Sequence, residues 1–481
     1  MKKILWKYKN LSIQTKASIW YTFGSVLTKG FALLSTPIFT RVMDQYQYGK
    51  YTVFQSWFNV LFIFTSLNIF LGGYTKGLIT FEDDVDAFTS SSLGLTAFIT
   101  LTYGVIYVLN INFWTKLLGL SPILMVAMFF ELLLMPAFEF WSARARFEYR
   151  YRKYVCSSIF ISILSILLGI ITVLETENKV FARVYSDAFA KILIWLPIFI
   201  YLMFKGKNFF NKNYWKYDLK FNISLIPHYL STYALNQSDL LMISKIIGDS
   251  QAAYYSIAYT IATMMVLVVT SINNALTPYI FKALRKKEVL DIRNTTRMLF
   301  IVISMLSIIT MIFAPEIIRI FAGRKYMQAI YVVPPVAASV YFIFLYNMFS
   351  TIEYYYQKTM YISIATLFAA LVNIGLNFIF LKKVGYYAAG YTTLISYILL
   401  SVAHYYFCSR IIHVNISQKH EPYDLKIILY CSMVTLISMI VFSVTYHLIW
   451  LRYGVVALIF VILLCQKKKI VKIFTDLKTR T

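Results

Sequence analysis

Charge is scarce in this chain: Asp, Glu, Lys and Arg make up 14% of its 481 residues, against 59% hydrophobic ones. A soluble domain carries about a quarter charged residues. The shortage therefore excludes a single water-soluble core and points to a polytopic membrane protein. Acids are rarer still, 21 against 46 Lys and Arg. The net charge of +25 would suggest nucleic acid in a soluble protein. Here the cations fall in short links between apolar runs, where anionic headgroups and topology account for them and no nucleic acid is called for. Cysteine is sparse too. Cys156, Cys408, Cys431 and Cys465 stand in or beside apolar runs without paired or metal-ligand spacing, and read as small apolar fillers. His413 and His420 also lack ligand spacing, so no metal is expected. No Gly-rich loop is followed by a Lys and a hydroxyl, which argues against ATP hydrolysis and any bound cofactor. "EDDVD" at 82–86 reads as a solvated link.

What the chain has in plenty is apolar length. About 20 apolar residues cross a bilayer. On that ruler roughly fourteen crossings lie near 17–38, 51–72, 88–110, 122–140, 154–174, 183–204, 223–243, 253–276, 298–318, 330–350, 360–380, 388–408, 426–446 and 452–465. With the N-terminus inside, inner segments hold about 32 Lys and Arg and outer ones about 12. Both termini are therefore expected in the cytoplasm, and "MKKILWKYKNLSIQTK" reads as a basic tail rather than a cleaved signal.

The stretch "TRVMDQYQYGKYTVF" (40–54) falls on "SKIIGDSQAAYYSIA" (244–258) at an offset of about 204 residues. Arg41 meets Lys245, Gly49 meets Ala253 and Tyr51 meets Tyr255. Each copy follows the first crossing of an even-numbered set of six, so the two halves run parallel about an axis along the membrane normal. The expected fold is all-α: a tail at 1–16, a six-helix lobe at 17–204, a cytoplasmic linker at 205–222, a second six-helix lobe at 223–408, two further helices at 426–465 and a basic tail at 466–481.

Ionisable groups inside crossings cost about 2.5–3.5 kcal/mol each at mid-bilayer and usually face a bundle interior or a wet cavity. Lys29 is the sharpest case. Ser25, Thr28, Lys29, Ala32, Ser35 and Thr36 recur at helical spacing and form one small, polar face. Such a face suits a helix-packing seam or a cavity wall, and the lysine favours the cavity. Gln55, Ser56 and Asn59 in the second crossing, His228, Thr232, Asn236 and Asp239 in the seventh, and Tyr255, Tyr259, Thr260 and Asn273 in the eighth extend the polar lining. Asp187 and Lys191 stand four apart and form either a structural ion pair or an ion-coupling site. Glu131 calls for protonation or a lysine partner. Glu139 snorkels or meets Arg144. His228 is a proton site or a satisfied helix histidine.

"LLSTPIFTRVMDQYQYGKYTVF" (33–54) resembles the opening of Wzx-type polysaccharide flippases, of the multidrug/oligosaccharidyl-lipid/polysaccharide exporter superfamily. The shared pattern is an apolar helix, Pro37, Phe39, Thr40, Arg41, a turn, then Tyr48, Gly49 and Tyr51. "VGYYAAGYTTLISYI" (384–398) is similar to the family's Gly-x-x-Gly-Ala-Ala link, with Tyr387 where glycine is commoner, and "ARARFEYRYRK" (143–153) fits the link after the fourth crossing. The resemblance implies a transporter, not an enzyme. Its substrate would be an undecaprenyl-diphosphate-linked oligosaccharide, moved from the inner to the outer leaflet of the bacterial cytoplasmic membrane for capsule, O-antigen or exopolysaccharide synthesis. Membrane lipids, a polysaccharide polymerase and chain-length machinery are the implied partners. Lys29 is then the first candidate for the diphosphate. Arg41 and Lys245 are gate, release-side or simple turn cations, and Lys76 and Lys282 are entry cations. The rival readings are a cation-coupled multidrug exporter of the same superfamily, a membrane glycosyltransferase or polymerase, and a non-transporting scaffold.

Overall fold

The computed structural model describes residues 11–415, 421–450 and 452–454. Among them every regular element is helical, as a bilayer requires of a chain that must satisfy its own backbone. In chain order these are α1 (Ile13–Val42), α2 (Gln45–Ser66), α3 (Gly73–Thr80), α4 (Val85–Leu109), α5 (Ile111–Leu118), α6 (Pro122–Phe147), α7 (Tyr151–Glu175), α8 (Lys179–Gly206), α9 (Lys212–Ile223) and α10 (Ile226–Ile246). They continue as α11 (Asp249–Lys286), α12 (Val289–Ile312), α13 (Ala314–Phe321), α14 (Val333–Tyr355), α15 (Thr359–Val384), α16 (Tyr387–Asn415) and α17 (Leu425–Thr445).

Thirteen of the expected crossings each overlap one long helix, with the one at 51–72 set back to Gln45–Ser66; the one at 452–465 lies almost wholly outside the described residues. Among the described residues, ten helices are long and apolar enough to span a membrane by length and composition. Helices α1, α2 and α10 are as long as a bilayer needs, but polar side chains such as Lys29, Gln55 and Asp239 interrupt their apolar runs. The crossing expected at 298–318 breaks after Ile312, and Pro315 sits in the first turn of α13, where a missing N–H costs nothing. Short helices α3, α5 and α9 fill links that apolar length alone left blank.

The chain forms two compact units. The first runs to Ile257 and adds Ile320–Tyr326 and Ser363–Ala389; the second comprises Ala258–Arg319, Met327–Ile362 and the chain from Gly390. Aromatic packing organises the first. Buried Tyr74 lies edge-on to Phe140 at 4.7 Å and stacks on Phe88 at 5.6 Å, and its hydroxyl is 2.7 Å from the Thr89 hydroxyl. In the second, α14 is the buried axis. Tyr341 donates to the Ile428 carbonyl at 3.2 Å, and Tyr423 donates to the Met348 carbonyl at 2.6 Å, so tyrosine hydroxyls reaching backbone oxygens tie α17 to α14.

In the first unit the repeated stretch earns its shape. Asp44 and Gln47 form a reciprocal capping box that starts α2. Gly49 then lets α2 meet the start of α11. A Cβ there would sit 1.8 Å from the Asp249 carbonyl oxygen and 3.3 Å from the amide nitrogen of Ala253, its partner in the repeat. Lys50 reaches Asp249 at 3.3 Å beside this contact. Gly49→Ala is expected to push the two helices apart and cost about 1–3 kcal/mol. The thermal midpoint of the purified protein should fall, whereas Gly30→Ala, whose Cβ meets nothing within 4 Å, should leave it unchanged or raise it.

Candidate functional site

Spacing of four puts Arg183, Asp187 and Lys191 on one face of α8. That face meets Glu131 of α6, Gln55 of α2 and Ser165 of α7. Lys191 Nζ lies 2.6 Å from Glu131 Oε2 and 2.7 Å from Asp187 Oδ2. Gln55 donates to Asp187 Oδ2 at 3.4 Å, and the Ser165 hydroxyl donates to Oδ1. The Arg183 guanidinium lies over the rings of Phe39 and Tyr51 at 4.2 and 5.1 Å and donates to the Ser165 carbonyl at 3.2 Å. Lys191 also faces Phe58 and Trp195. The sum is two cations and two anions, all buried or nearly so, with Glu131 Oε1 left without a protein partner. A balanced cluster of this kind locks four helices together and offers little net field to an incoming anion or cation.

A third buried acid is equally engaged. Asp239 of α10 accepts from the Tyr255 hydroxyl at 2.5 Å and from the Asn377 amide of α15. Asn373 Oδ1 accepts in turn from Asn377 at 3.3 Å and from Ser238 at 3.2 Å.

The second unit holds a cavity of about 450 Å³ between α11 and α14, lined by Asn273, Thr277, Phe281, Asn347, Ser350, Thr351 and Tyr354. None of the seven carries a charge. The Thr351 hydroxyl approaches Asn273 Oδ1 at 3.5 Å, and the Asn347 side-chain amide has no protein partner among the described residues. Elsewhere on α14, Glu353 faces His404 of α16 at 2.8 Å, both fully buried, with Glu353 Oε2 and His404 Nε2 unpartnered.

Two family models match the sequence of this helical bundle. The profile of the family described as "polysaccharide biosynthesis protein" matches residues 15–284, more than half of the chain. The chain belongs to that family. The MatE profile also matches residues 225–379. An uncharacterized membrane protein of Haemophilus influenzae is 22% identical over 209 residues, covering 41% of this chain and 50% of that protein. The chain thus spans about half the length of the curated relatives it matches. Among solved structures, lipid II flippase MurJ in an inward closed conformation aligns with a TM-score of 0.71 at 16% identity, covering 94% of this chain and all of MurJ. An inward-facing multidrug resistance MATE transporter of the MOP superfamily aligns at 0.64 and 15%, covering 81% of this chain and 99% of that one. The fold is the one these flippase and transporter structures share, and the long apolar helices mark a multi-pass membrane protein.

Within this polysaccharide biosynthesis family member, the residues singled out in the sequence fall into distinct places. Lys29 and Ser25 are exposed on α1, and Lys29 has no ion-pair partner among the described residues. Thr28 returns its hydroxyl to the Gly24 carbonyl at 3.0 Å. Thr232 and Asn236 likewise bond back along α10, to His228 and Thr232, while His228 Nδ1 is buried without a partner. Asn59 and Tyr259 are half-buried; Lys76 and Lys282 are exposed.

Arg41 and Lys245 do one job twice. Arg41 donates to the Ile320 carbonyl at 2.8 Å, at the end of α13, and Lys245 donates to the Lys116 carbonyl at 2.6 Å, near the end of α5. The two cations and the two carbonyls are separated in sequence by the same repeat offset. Both cap the C-terminus of a short helix, where cations are favoured.

Two expectations need correction. Arg144 pairs with Asp86 and with Glu148 at 2.8 Å, not with Glu139. Asp86, read as part of a solvated link, also lies 3.2 Å from Lys205, because α4 begins at Val85 and brings it beside the ends of α6 and α8. Sequence reading missed Arg183, which stands at the edge of its crossing, and the Glu353–His404 pair, whose members are far apart in sequence. It also missed most of the cavity, although Asn347, Ser350, Thr351 and Tyr354 follow the i, i+3, i+4, i+7 pattern that could have revealed it.

Lys191→Met should strand Glu131 and Asp187 and cost about 3–5 kcal/mol. A sharp loss of monodisperse protein and a lower thermal midpoint on heated size-exclusion chromatography are expected, and adding Glu131→Gln should recover part of the loss.

Proposed function

We propose that this protein translocates a lipid-linked oligosaccharide across the cytoplasmic membrane of a bacterium, with a polyprenyl diphosphate such as undecaprenyl diphosphate as the carrier. The observation that carries this reading is the uncharged cavity between α11 and α14. Two carboxamides, three hydroxyl-bearing chains of Ser and Thr, a tyrosine and a phenylalanine suit a sugar, which needs donors, acceptors and aromatic faces rather than charge. Family membership supports the same substrate class.

The diphosphate calls for a cation, and exposed Lys29 is the candidate in the polar face of α1. The carrier's chain stays in the bilayer throughout. Arg41 and Lys245 cap short helices at the end of the molecule read as outer; we assign their release to opening at that end, in an alternating-access cycle of two six-helix lobes. Lys76 and Lys282 stand where the positive-inside count puts the cytoplasm and would draw the anionic substrate inward. Both termini are placed in the cytoplasm on the same count. A polymerase and chain-length machinery would then use the product.

A cation-coupled drug exporter fits less well. It wants an acid in its cavity, and none of the seven lining residues is acidic; the buried acids Glu131, Asp187, Asp239 and Glu353 each engage a neighbouring side chain.

In cells lacking the gene, lipid-linked oligosaccharide should accumulate on the inner leaflet, protected from an externally added glycosidase, and plasmid-borne wild-type protein should relieve this. Lys29→Ala should lower relief at least tenfold while Lys29→Arg keeps part of it, and Asn347→Leu should impair it without loss of membrane-inserted protein. Full relief by Lys29→Ala would remove the diphosphate role. Unchanged glycolipid levels on deletion of the gene would overturn the function.

A further inference from the structure

The segment "FFNKNYWKYDLKFNIS" (209–224) contains α9, whose 12 residues extend about 18 Å and cannot cross a bilayer. Its two faces differ. Tyr214, Asp218 and Asn222, at steps of four, are buried against the first unit. Asp218 accepts from the Ser92 hydroxyl at 2.7 Å, and Trp215 Nε1 donates to the Ser91 carbonyl at 2.9 Å. These bonds fix the helix to α4.

The other face is the unusual one. Lys212, Lys216 and Lys220 form a second row at steps of four, all exposed and with no acidic partner among the described residues. Beside them runs a groove of about 660 Å³ whose apolar lining is Phe210, Trp215, Leu219 and Ile223. Phe210 and Ile223 are 60% and 54% exposed, an uncomfortable position for apolar side chains in water. The groove does not stop at α9. The Trp215 ring lies 5.5 Å from Phe98 of α4, and Phe98, Leu101, Val105 and Leu109 form an exposed apolar stripe down that membrane-spanning helix.

We propose that this groove is a binding site for an anionic glycerophospholipid, with the headgroup phosphate on the Lys212–Lys216–Lys220 row and an acyl chain along the Phe98 stripe. Continuity with the lipid-facing flank of α4 selects a lipid over a soluble protein. The lysine row, about 12 Å long, suits the diffuse charge of a headgroup layer. Lysines on flexible stems meet such a layer as point charges, without the forked geometry of arginine, and Trp215 has the amphipathic ring favoured at this depth. Bound lipid would hold α9 against the membrane surface. Each lysine near an anionic surface is worth about a fivefold preference, so three give a preference on the order of a hundredfold. The site is independent of the transported substrate.

Native mass spectrometry of the full chain, exchanged into equal phosphatidylglycerol and phosphatidylcholine of matched acyl chains, tests this. Wild type should retain phosphatidylglycerol preferentially. Lys212→Gln, Lys216→Gln and Lys220→Gln combined should lower its retention at least tenfold, with phosphatidylcholine retention and thermal midpoint unchanged. Equal phosphatidylglycerol retention by the triple variant, or parallel loss of both lipids, would overturn the proposal. So would displacement of phosphatidylglycerol by a small excess of polyprenyl diphosphate, which would make the groove a loading surface for the carrier. A second readout uses brominated lipids. The fluorescence component lost in Trp215→Phe should be quenched at a lower mole fraction of brominated phosphatidylglycerol than of brominated phosphatidylcholine, and equal quenching would contradict the site.

Discussion

The contact on which the first unit depends is the one Gly49 makes possible, where α2 passes within backbone distance of the start of α11. No side chain fits between the Gly49 Cα and the Asp249 carbonyl, so the approach is set by backbone alone. Around it, the two copies of the repeated stretch act as mirrored fittings. Asp44 starts α2, Arg41 closes off α13 and Lys245 closes off α5. The repeat thus preserves a contact geometry rather than a set of identities. Arg41 also donates to the Pro37 carbonyl of its own helix at 2.7 Å, so what the two cations share is one charged N–H donor on the end of a short helix.

The rest of the polar interior obeys one constraint, that buried charge must be answered nearby. Lys191 is answered by two carboxylates, Asp187 by a lysine, a serine and a glutamine, and Asp239 by a tyrosine and an amide. Little net charge remains on these buried clusters to recruit a charged solute. Cations without partners stay exposed, as at Lys29 and along α9, where a phosphate-bearing ligand can meet them. The cavity between α11 and α14 is the complement: polar, neutral and suited to hydroxyl-rich ligands. A diphosphate-linked sugar combines both kinds of group in one molecule, which is why the proposed function follows the division of charge within the chain.

Much of this was legible before any coordinates. Apolar length located the crossings, and four-residue spacing paired Asp187 with Lys191. The need of a buried carboxylate for a partner anticipated the lysine beside Glu131. The repeat was visible through hydropathy and a handful of matched residues, but not its purpose, since the carbonyls that Arg41 and Lys245 cap belong to remote short helices. Arg144 went to Asp86 and to Glu148 rather than to Glu139 because Glu148 stands four residues on, where helical side chains meet, and Glu139 stands five back. Glu353 and His404 lie in apolar runs that carry no local sign of their meeting. The cavity wall of α14 was hidden for another reason: its polar residues are diluted in a hydropathy average, although their helical periodicity is intact.

The most direct test of the central claim is transport by the purified wild-type protein in sealed vesicles. A glycosylated polyprenyl diphosphate labelled on its sugar with a dithionite-sensitive fluorophore would be followed as it becomes accessible from the opposite leaflet. The account predicts accessibility that grows faster than in protein-free vesicles and that an unlabelled glycosylated carrier slows by competition. Accessibility no faster than in protein-free vesicles, in a preparation that instead accumulates a cationic dye, would contradict it.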